Sequence, residues 1–329
     1  MNNSTKTIMN VDDYDIVSFI GKGRFAKVLK VVKKDTCEIY AMKILRKRTV
    51  NEYQQEKHIK TERKIFALEH PYIVKLHYAF QTEHKLYMVL DFVGGGDLFH
   101  HLKKNRVFTE YQTKIYVAEI LLALEYLHSQ GIIYRDLKAE NILLDNRGYI
   151  RLTDFGLSTM EEKPTTFCGS PEYISPEVLK NEVQTQALDF WSLGILTYEL
   201  VAGLPPFYDE NQSVMYDNIV GKELEFTSFM TKELKDILTA LLMKSPTERL
   251  DNAKDAMNYN WFSDIDFEAL MNKTIDKDIK EEKVLGFISH GIVKQVKAVA
   301  AALTSRSLVR VYFFAAIYFL VVKSITLKV

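Results

Sequence analysis

The sequence YRDLKAEN at Tyr134–Asn141 is followed, thirteen residues after its end, by DFG at Asp154–Gly156. Together these residues supply a carboxylate base, a phosphate-binding cation, and the amide and carboxylate oxygens that Mg²⁺ prefers as ligands. An isolated Asp or Asn is usually a turn residue. Because the residues here occur in one order at short spacing, the turn interpretation fails and a phosphate site is predicted.

A glycine-containing stretch lies far upstream, in GKGRFAKV at Gly21–Val28. Glycine lets the backbone approach phosphate oxygens and offer N–H donors to them. Taken alone, the stretch is more typical of a hairpin turn than of a phosphate-binding loop. A dinucleotide-binding loop is disfavoured because strand residues, and no helix, follow it.

A lysine in an apolar strand is the third signal. Ala41-Met42-Lys43 is followed by Glu62 in a charged helix, nineteen residues after Lys43. A lysine that points into a cleft needs a counter-charge, and a glutamate on a facing helix supplies one. An exposed lysine at a strand end is an equally good interpretation, because Lys43 begins a basic run that continues to Arg48.

Hydrophobic periodicity predicts two regions of different character, which meet at the three glycines 94–96. The first is rich in strands, with a pair of antiparallel strands at 14–37, strands at 38–45 and 85–92, and one helix at 52–68. The second is dominated by helices at 112–129, 187–202 and 232–242. The pattern therefore indicates a small β-rich lobe followed by a larger helical lobe.

Taken together, these motifs resemble the signature set of protein kinases. The chain resembles the AGC group of serine/threonine kinases in two features: Tyr134 before Arg-Asp, and TFCGSPEY at Thr166–Tyr173. Within that group it most resembles the protein kinase B and serum/glucocorticoid-regulated kinase branch, including GLPPFY at Gly203–Tyr208. The resemblance covers residues 14–262 and implies an α+β, bilobal protein kinase fold. It divides the chain into an N-terminal extension (1–13), an N-lobe (14–93), a C-lobe (94–262) and an atypical tail (263–329).

The resemblance implies an enzyme that uses ATP and Mg²⁺. It makes Asp136 the base for the substrate hydroxyl, Lys138 and Lys43 the cations on the phosphates, Glu62 the partner of Lys43, and Asn141 and Asp154 the magnesium ligands. Leu90 is the expected gatekeeper beside the adenine. The remaining nucleotide contacts are expected from Ile20, Gly21, Lys22, Gly23, Arg24, Phe25, Ala26, Lys27, Val28, Ala41, Asp91 and Val93, with Ala26 in the place of the usual third glycine.

By the same resemblance, Thr166 is the activating phosphorylation site, and Arg135 and His58 form the cationic pocket for its phosphate. A phosphate adds about −1.5 to −2 charge near neutral pH. The AGC group often places a third cation just after Asp-Phe-Gly, where this chain has Ser158 and Thr159. A weaker pocket is therefore expected.

Substrate choice is also implied by the resemblance. Asp97, Glu140 and Glu199 match positions that bind arginines upstream of the target hydroxyl, and carboxylate pairing with arginine is bidentate and directional. An apolar pocket for the residue after the target is expected from Phe167, Pro171 and Ile174. These residues predict a preference for Arg-x-x-Ser/Thr or Arg-x-Arg-x-x-Ser/Thr substrates.

Two further matches predict structural pairs. Glu177, in SPE at 175–177, is expected to pair with Arg249 in a buried bridge. Asp189 is expected to brace the backbone of the YRDLKAEN loop. Losing one partner of a buried pair typically costs on the order of 3–5 kcal/mol.

Composition sets the broad class of the chain. Its 329 residues are 47% apolar and 26% charged, which excludes a disordered, collagenous or disulfide-framework protein. The two cysteines and the absence of a visible secretory signal in residues 1–13 favour a cytoplasmic location.

The formal net charge of zero conceals an asymmetry. Seven of the 43 basic residues and no acidic residue lie after position 282, so the preceding residues carry 36 basic against 43 acidic side chains.

The tail lacks the hydrophobic motif with which AGC kinases usually continue. Apolar residues recur every three or four positions from Leu285 to Leu303, which predicts an amphipathic helix, and Val311–Val322 is a run of twelve uncharged residues. A spanning helix needs about 20 residues. Membrane association through residues 284–329, a helix packed on the large lobe and a tail without function are all compatible with this pattern.

The motifs together predict a serine/threonine protein kinase that acts on proteins with upstream arginines and is activated by an upstream kinase. No nucleic-acid partner is expected. A catalytically weak kinase-fold scaffold, acting through a membrane- or partner-docking tail, is the alternative.

Overall fold

The computed structural model describes residues 9–22, 26–53, 56–161 and 164–275, and a five-stranded antiparallel sheet forms their N-terminal part. The strands are hydrogen-bonded in the order β1-β2-β3-β5-β4. Their bounds are β1 (Tyr14–Lys22), β2 (Ala26–Lys33), β3 (Ile39–Arg46), β4 (Leu76–Gln81) and β5 (Lys85–Asp91). The sequence predicted all of these strands except β4.

Alternation along β3 gives the sheet two different faces. Tyr40 and Met42 are buried in a small cluster on one face, together with Val31 of β2. Ala41 and Leu45 point to the opposite face and pack on the main core. Because side chains alternate along a strand, Lys43 shares the face of Ala41 and Leu45. This alternation is what places an ammonium group between the sheet and the rest of the molecule.

Two helices follow β3 where the sequence predicted one at 52–68. They are α1 (Lys47–Glu52) and α2 (Glu56–Phe66). Helix α2 buries Glu62, Ile65 and Phe66, so it packs on the core along a narrow stripe, and its other Glu, Lys and Arg side chains are exposed. The predicted boundaries were therefore wrong, although the helix that carries Glu62 was correctly expected.

Helices dominate the remainder of the described chain. They are α3 (Leu98–Asn105), α4 (Glu110–Ser129), α5 (Pro176–Leu179), α6 (Ala187–Ala202), α7 (Gln212–Gly221), α8 (Lys232–Leu241), α9 (Ala253–Met257) and α10 (Phe267–Met271), with a short hairpin of β6 (Ile142–Leu144) and β7 (Ile150–Leu152). Helix α4 begins with a capping box between Thr109 and Gln112. Helix α6 is buried along almost its whole length and ends at Gly203 in the left-handed region, with a φ of 86°. The three long helices that the sequence predicted are α4, α6 and α8.

The glycines at 94–96 join the sheet to the helical part. The backbone N–H of Gly95 donates to the Leu144 carbonyl at 2.9 Å, and a Cβ on Gly95 would lie 2.4 Å from that oxygen. Only glycine allows this approach. The prediction of a small β-rich lobe with one main helix and a larger helical lobe is confirmed.

Several predictions fall on residues that the structure does not describe. Residues 1–8, the loop residues Gly23, Arg24 and Phe25, and the tail from position 276 onward lie outside the described chain. Within the described ranges, no helix is long and apolar enough to cross a lipid bilayer.

Candidate active site

The loop that carries Asp136 is held by a buried carboxylate. Asp189 of α6 accepts backbone N–H bonds from Tyr134 at 2.9 Å and Arg135 at 2.8 Å, and it contacts the His128 Nε2 at 2.8 Å. Arg135 has a φ of 68°, a left-handed conformation that is unfavourable for a non-glycine residue. The predicted bracing role of Asp189 is confirmed, since its two oxygens satisfy the donors of this strained loop.

Four polar groups converge at the end of the loop. The Lys138 ammonium lies 2.8 Å from the nearer oxygen of the Asp136 carboxylate and 2.7 Å from the Ser170 hydroxyl. The Asn141 side-chain N–H₂ donates to both the backbone carbonyl and the carboxylate of Asp136, each at 2.8 Å. Asp136, Lys138 and Asn141 therefore form one connected network, and Ser170 joins it from 32 residues away.

A second charged group lies between the sheet and α2. The Lys43 ammonium is paired with the buried Glu62 carboxylate, and the Asp154 carboxylate is 3.7 Å away. Burial disfavours the charged form of Lys43, but the negative charges of Glu62 and Asp154 outweigh it and raise the Lys43 pKa. Lys43 is therefore a cation in this site and not an exposed lysine at a strand end.

The DFG sequence connects these two groups. Asp154 has a φ of 56°, again in the left-handed region, and it directs its carboxylate towards Lys43. The Phe155 ring is fully buried and contacts the rings of Phe66 and Tyr134, with both pairs of ring centroids 5.1 Å apart. Phe155 therefore packs α2 against the loop that carries Asp136.

Strand register places the predicted nucleotide-binding residues around the same cleft. Val28 is opposite Lys43, and Ala41 is opposite the buried Leu90, which is followed directly by Asp91. The remaining predicted contacts in this part of the structure lie at the ends of β1 and β2 or just after β5: Ile20, Gly21, Lys22, Ala26, Lys27 and Val93.

The expected magnesium ligands are two oxygens on facing segments. Because the Asn141 amide nitrogen is engaged by Asp136, its oxygen is the atom left to bind a cation. The Asp154 side chain is 55% exposed and supplies a carboxylate. No group of three or more His, Cys, Asp or Glu side chains positioned to hold a metal ion occurs within the described ranges. This donor set fits a cation such as Mg²⁺, which keeps several waters and completes its shell with phosphate oxygens.

The segment from Asp154 to Glu177 is called the activation segment below. Its Thr166 is exposed, and the backbone carbonyl of Thr166 accepts a 2.8 Å hydrogen bond from the Gln184 side chain. Arg135 is buried and donates to the Leu157 carbonyl at 2.6 Å and to Gln184 at 3.4 Å. Thr166 and Arg135 are thus linked through Gln184, while His58 lies half-buried on α2.

The acidic residues predicted to bind arginine lie in three different environments. Asp97 caps α3 by accepting the His100 N–H at 2.7 Å, and Glu140 is exposed. Glu199 is only 8% exposed and accepts a hydrogen bond from the Tyr173 hydroxyl. Burial is the main reason why the pKa of Glu199 rises to about 7, and the charges of Glu140 and Glu172 raise it further. Glu199 is therefore poised between its neutral and ionised forms near neutral pH.

The three apolar residues expected to form one pocket are distributed unevenly. The Phe167 side chain is 53% exposed, and Pro171 is half-buried at the start of a short 3₁₀ turn. Ile174 is buried in a small cluster with Val178 and Leu188. Ile174 thus belongs to the packing beneath this surface, whereas Phe167 is presented to solvent.

The predicted bridge between Glu177 and Arg249 is confirmed. The Arg249 guanidinium makes two parallel hydrogen bonds to the Glu177 carboxylate, at 2.7 and 2.8 Å, and both side chains are buried. This pair anchors the end of the activation segment to the helical lobe.

Sequence reasoning missed three residues of the site: Ser170, Tyr173 and Gln184. Each contacts a predicted residue that lies 18 to 34 positions away in the chain. Ser170 and Tyr173 lie within the quoted TFCGSPEY sequence, so attention to its polar side chains would have suggested them. Gln184 has no local pattern that marks it.

Comparison with known proteins agrees with this geometry. The family described as "Protein kinase domain" matches residues 14–262. "Protein kinase 2" of Dictyostelium discoideum is 48% identical over 82% of this chain, and the "RAC family serine/threonine-protein kinase homolog" of the same organism is 45% identical over 81%. "Serine/threonine-protein kinase Sgk1" of Bos taurus is 46% identical over 80%. The matches cover 57%, 62% and 63% of those relatives, so the chain spans somewhat less than two thirds of their length.

Proposed function

The chain belongs to the protein kinase domain family, and from that premise we propose that it transfers the γ-phosphoryl group of ATP to serine or threonine hydroxyls of proteins. The observation that carries the proposal is the network of Asp136, Lys138 and Asn141, together with the Lys43–Glu62 pair, whose ammonium lies 3.7 Å from the Asp154 carboxylate. A scaffold that acts only by binding does not need a carboxylate held by three donors, Lys138, Asn141 and Ser170, or a second cation paired with a buried glutamate. The names of the relatives support the same class of reaction.

In the proposed reaction, the protein supplies position and charge. Asp136 accepts the proton of the substrate hydroxyl and orients its oxygen, while Lys138 and Lys43 neutralise negative charge on the phosphates. Asn141 and Asp154 would hold Mg²⁺, which neutralises phosphate charge when it is bound. Phosphoryl transfer requires little covalent chemistry from the enzyme, so charge and alignment account for most of the rate.

Basic substrates are the proposed specificity class. Asp97, Glu140 and Glu199 supply carboxylates around the loop that carries Asp136, and Glu140 is within that loop. Bidentate pairing with carboxylates selects arginine over lysine. The proposed target is therefore a hydroxyl preceded by one or two arginines, in Arg-x-x-Ser/Thr or Arg-x-Arg-x-x-Ser/Thr.

Phosphorylation of Thr166 by an upstream kinase is the proposed activating event. Thr166 is exposed and therefore accessible to such a kinase, and its backbone is linked through Gln184 to Arg135. A phosphate there gains charge-assisted hydrogen bonds from nearby cations, each worth roughly 1.5–3 kcal/mol. Such bonds would hold the activation segment against the loop that carries Asp136.

A peptide-array kinase assay on the full chain, with and without Thr166→Ala, tests the three parts of this proposal together. We expect phosphorylation of peptides with upstream arginines, and lower activity after Thr166→Ala. An array without labelling contradicts the catalytic proposal and favours the scaffold. Preference for proline or acidic flanks contradicts the proposed substrate class.

Membrane association of an otherwise cytoplasmic protein is the proposal for the basic tail. Lys and Arg near anionic lipid contribute about 1 kcal/mol each, and seven such residues follow position 282. Fractionation of the full chain and of a chain ending at Ile279 tests this. Equal partitioning of the two proteins contradicts an anchoring role.

A further inference from the structure

One carboxylate of the activation segment contacts the helix that carries Glu62. The Glu161 side chain accepts a hydrogen bond from the Lys57 ammonium of α2, across 104 residues of sequence. The backbone N–H of Glu161 donates to the Thr159 hydroxyl at 3.1 Å. Thr159 is in turn joined to Ile133 by two backbone hydrogen bonds of 3.0 Å. The backbone of Glu161 is thus held through Thr159 near the Asp136 loop, and its side chain contacts α2.

Two groups expected to receive a phosphate on Thr166, Arg135 and His58, also act electrostatically on Glu161. The hydrogen bond from Lys57 is the main cause that lowers the pKa of Glu161, and electrostatic attraction to Arg135 and His58 lowers it further. Glu161 therefore interacts electrostatically with Arg135 and His58 in the protein whose Thr166 is not phosphorylated.

Ser158 and Thr159, which stand where a third cation is often found, have another role in this structure. Both are buried, and the Ser158 hydroxyl donates to the Tyr134 carbonyl at 3.1 Å. They hold the start of the activation segment on the Asp136 loop and direct the chain towards Glu161. The activation segment thus lacks the third cation that would bind a phosphate on Thr166. It carries instead the Glu161 carboxylate, which lies beside α2.

We propose that Glu161 is a positioning residue that takes over part of the role of the Thr166 phosphate. Through Lys57, it holds α2, and with it the Lys43–Glu62 pair, in the unphosphorylated protein. The inference rests on the proposed kinase function. Exposed ion pairs are individually weak, so the effect of Glu161 is modest and supports a basal activity rather than full activation.

The first experiment measures kcat and KM on an arginine-containing peptide in a Thr166→Ala background. We expect Glu161→Gln and Lys57→Gln each to lower kcat/KM about two- to fivefold, and the double variant to be no worse than either single one. The matched controls are Glu182→Gln, at an exposed glutamate of the same lobe, and Lys64→Gln, at an exposed lysine of α2. Both controls should leave kcat/KM unchanged. Unchanged Glu161→Gln activity, or fully additive losses, would overturn the proposal.

The second experiment separates this role from a merely structural one. Phosphothreonine is incorporated at position 166, and the ratio of phosphorylated to unphosphorylated kcat/KM is measured with Glu161 and with Glu161→Gln. We expect the ratio to rise about two- to fivefold in Glu161→Gln, because the phosphate then replaces a lost anion. An equal loss in both forms would leave the ratio unchanged and would overturn the proposal.

Hydrogen exchange of the α2 amides measures whether Glu161 stabilises α2, and it does not depend on kinase activity. If the chain phosphorylates no peptide, the proposed function fails, but the contact is still measurable in the Thr166→Ala protein. Faster exchange at residues 57–66 in Glu161→Gln than in Glu182→Gln supports the positioning role. Identical exchange in the two variants contradicts it.

Discussion

At the scale of single residues, the proposed chemistry depends most on the Asp136 carboxylate. Asp136→Asn keeps the shape of the side chain but removes the base, so we expect the rate of peptide phosphorylation to fall by about 10²–10⁴. The thermal unfolding temperature should change little, since the amide oxygen still accepts from Lys138. Asp217→Asn, on the exposed face of α7, is the matched control and should keep full activity. A rate within threefold, a margin of about 0.7 kcal/mol, would exclude Asp136 as the base.

Glu199 leads to a prediction about pH. Burial is the main reason why its pKa is raised to about 7, so most of the side chain is neutral at pH 6 and ionised at pH 8. Only the ionised form pairs with a substrate arginine. We therefore expect the KM of an arginine-containing peptide to fall several-fold as pH rises from about 6 to 8.

The control for this prediction is the Glu199→Gln variant. It should show a higher KM at pH 8 and lose the pH dependence, because the amide does not titrate. A peptide in which alanine replaces the upstream arginines should show no such dependence with the unaltered protein. The same slope of KM against pH in Glu199→Gln would assign the titration to another group.

Single residues also show what the sequence alone reveals about the site. Asp136, Lys138 and Asn141 were predictable because they lie within six consecutive positions and their chemical types are distinctive. Gln184 was not, because its contacts with Thr166 and Arg135 arise only when the activation segment folds back on the loop. The burial of Glu199 beneath Tyr173 likewise depends on packing that no local pattern encodes.

At the scale of elements, α6 packs closely against the end of α8. A Cβ on Gly194 of α6 would lie 2.9 Å from side-chain atoms of Leu241 and Leu242. Alanine gains about 1 kcal/mol in helix propensity over glycine, but overpacking a core typically costs 1–3 kcal/mol. We expect Gly194→Ala to lower the free energy of unfolding by up to about 2 kcal/mol, measured by urea denaturation.

Gly221, the last residue of α7, provides the matched control. A Cβ there would meet nothing within 4 Å. Gly221→Ala should therefore be neutral or stabilise the protein by roughly 0.4–1 kcal/mol. Equal unfolding free energies for the two alanine variants would show that the α6–α8 contact relaxes without cost.

The elements differ in how far their sequences reveal them. Helices α4 and α6 are 20 and 16 residues long and rich in apolar residues, and α8 has distinct buried and exposed faces, so all three are visible in the sequence. The ten-residue α7 was not predicted. Helices α9 and α10 have five residues each and begin at the side-chain caps Asn252 and Asp266. Such short elements depend on caps and tertiary packing rather than on periodicity, and the six-residue β4 was missed for the same reason.

At the scale of the whole molecule, contacts between distant segments extend the folded unit beyond the domain boundary expected at residue 262. The Tyr72 hydroxyl donates to the Leu270 carbonyl, and the Tyr149 hydroxyl donates to the Ile275 carbonyl. The Lys273 ammonium lies 5.1 Å from the ring centroids of both tyrosines. We infer that residues 263–275 are part of the folded unit rather than the beginning of a separate tail.

A chain ending at Phe262 should therefore be less stable than one ending at Ile275. It lacks Leu270, which is fully buried, and truncation of a buried leucine alone typically costs 2–5 kcal/mol. Urea denaturation of the two chains measures the difference. Leu270→Ala in the longer chain should reproduce a large part of the loss, because burial of this side chain is the main apolar contribution of the segment. Equal stability of the two chains would place the domain boundary at residue 262. It would also show that the contacts of Tyr72 and Tyr149 with residues 263–275 do not stabilise the fold.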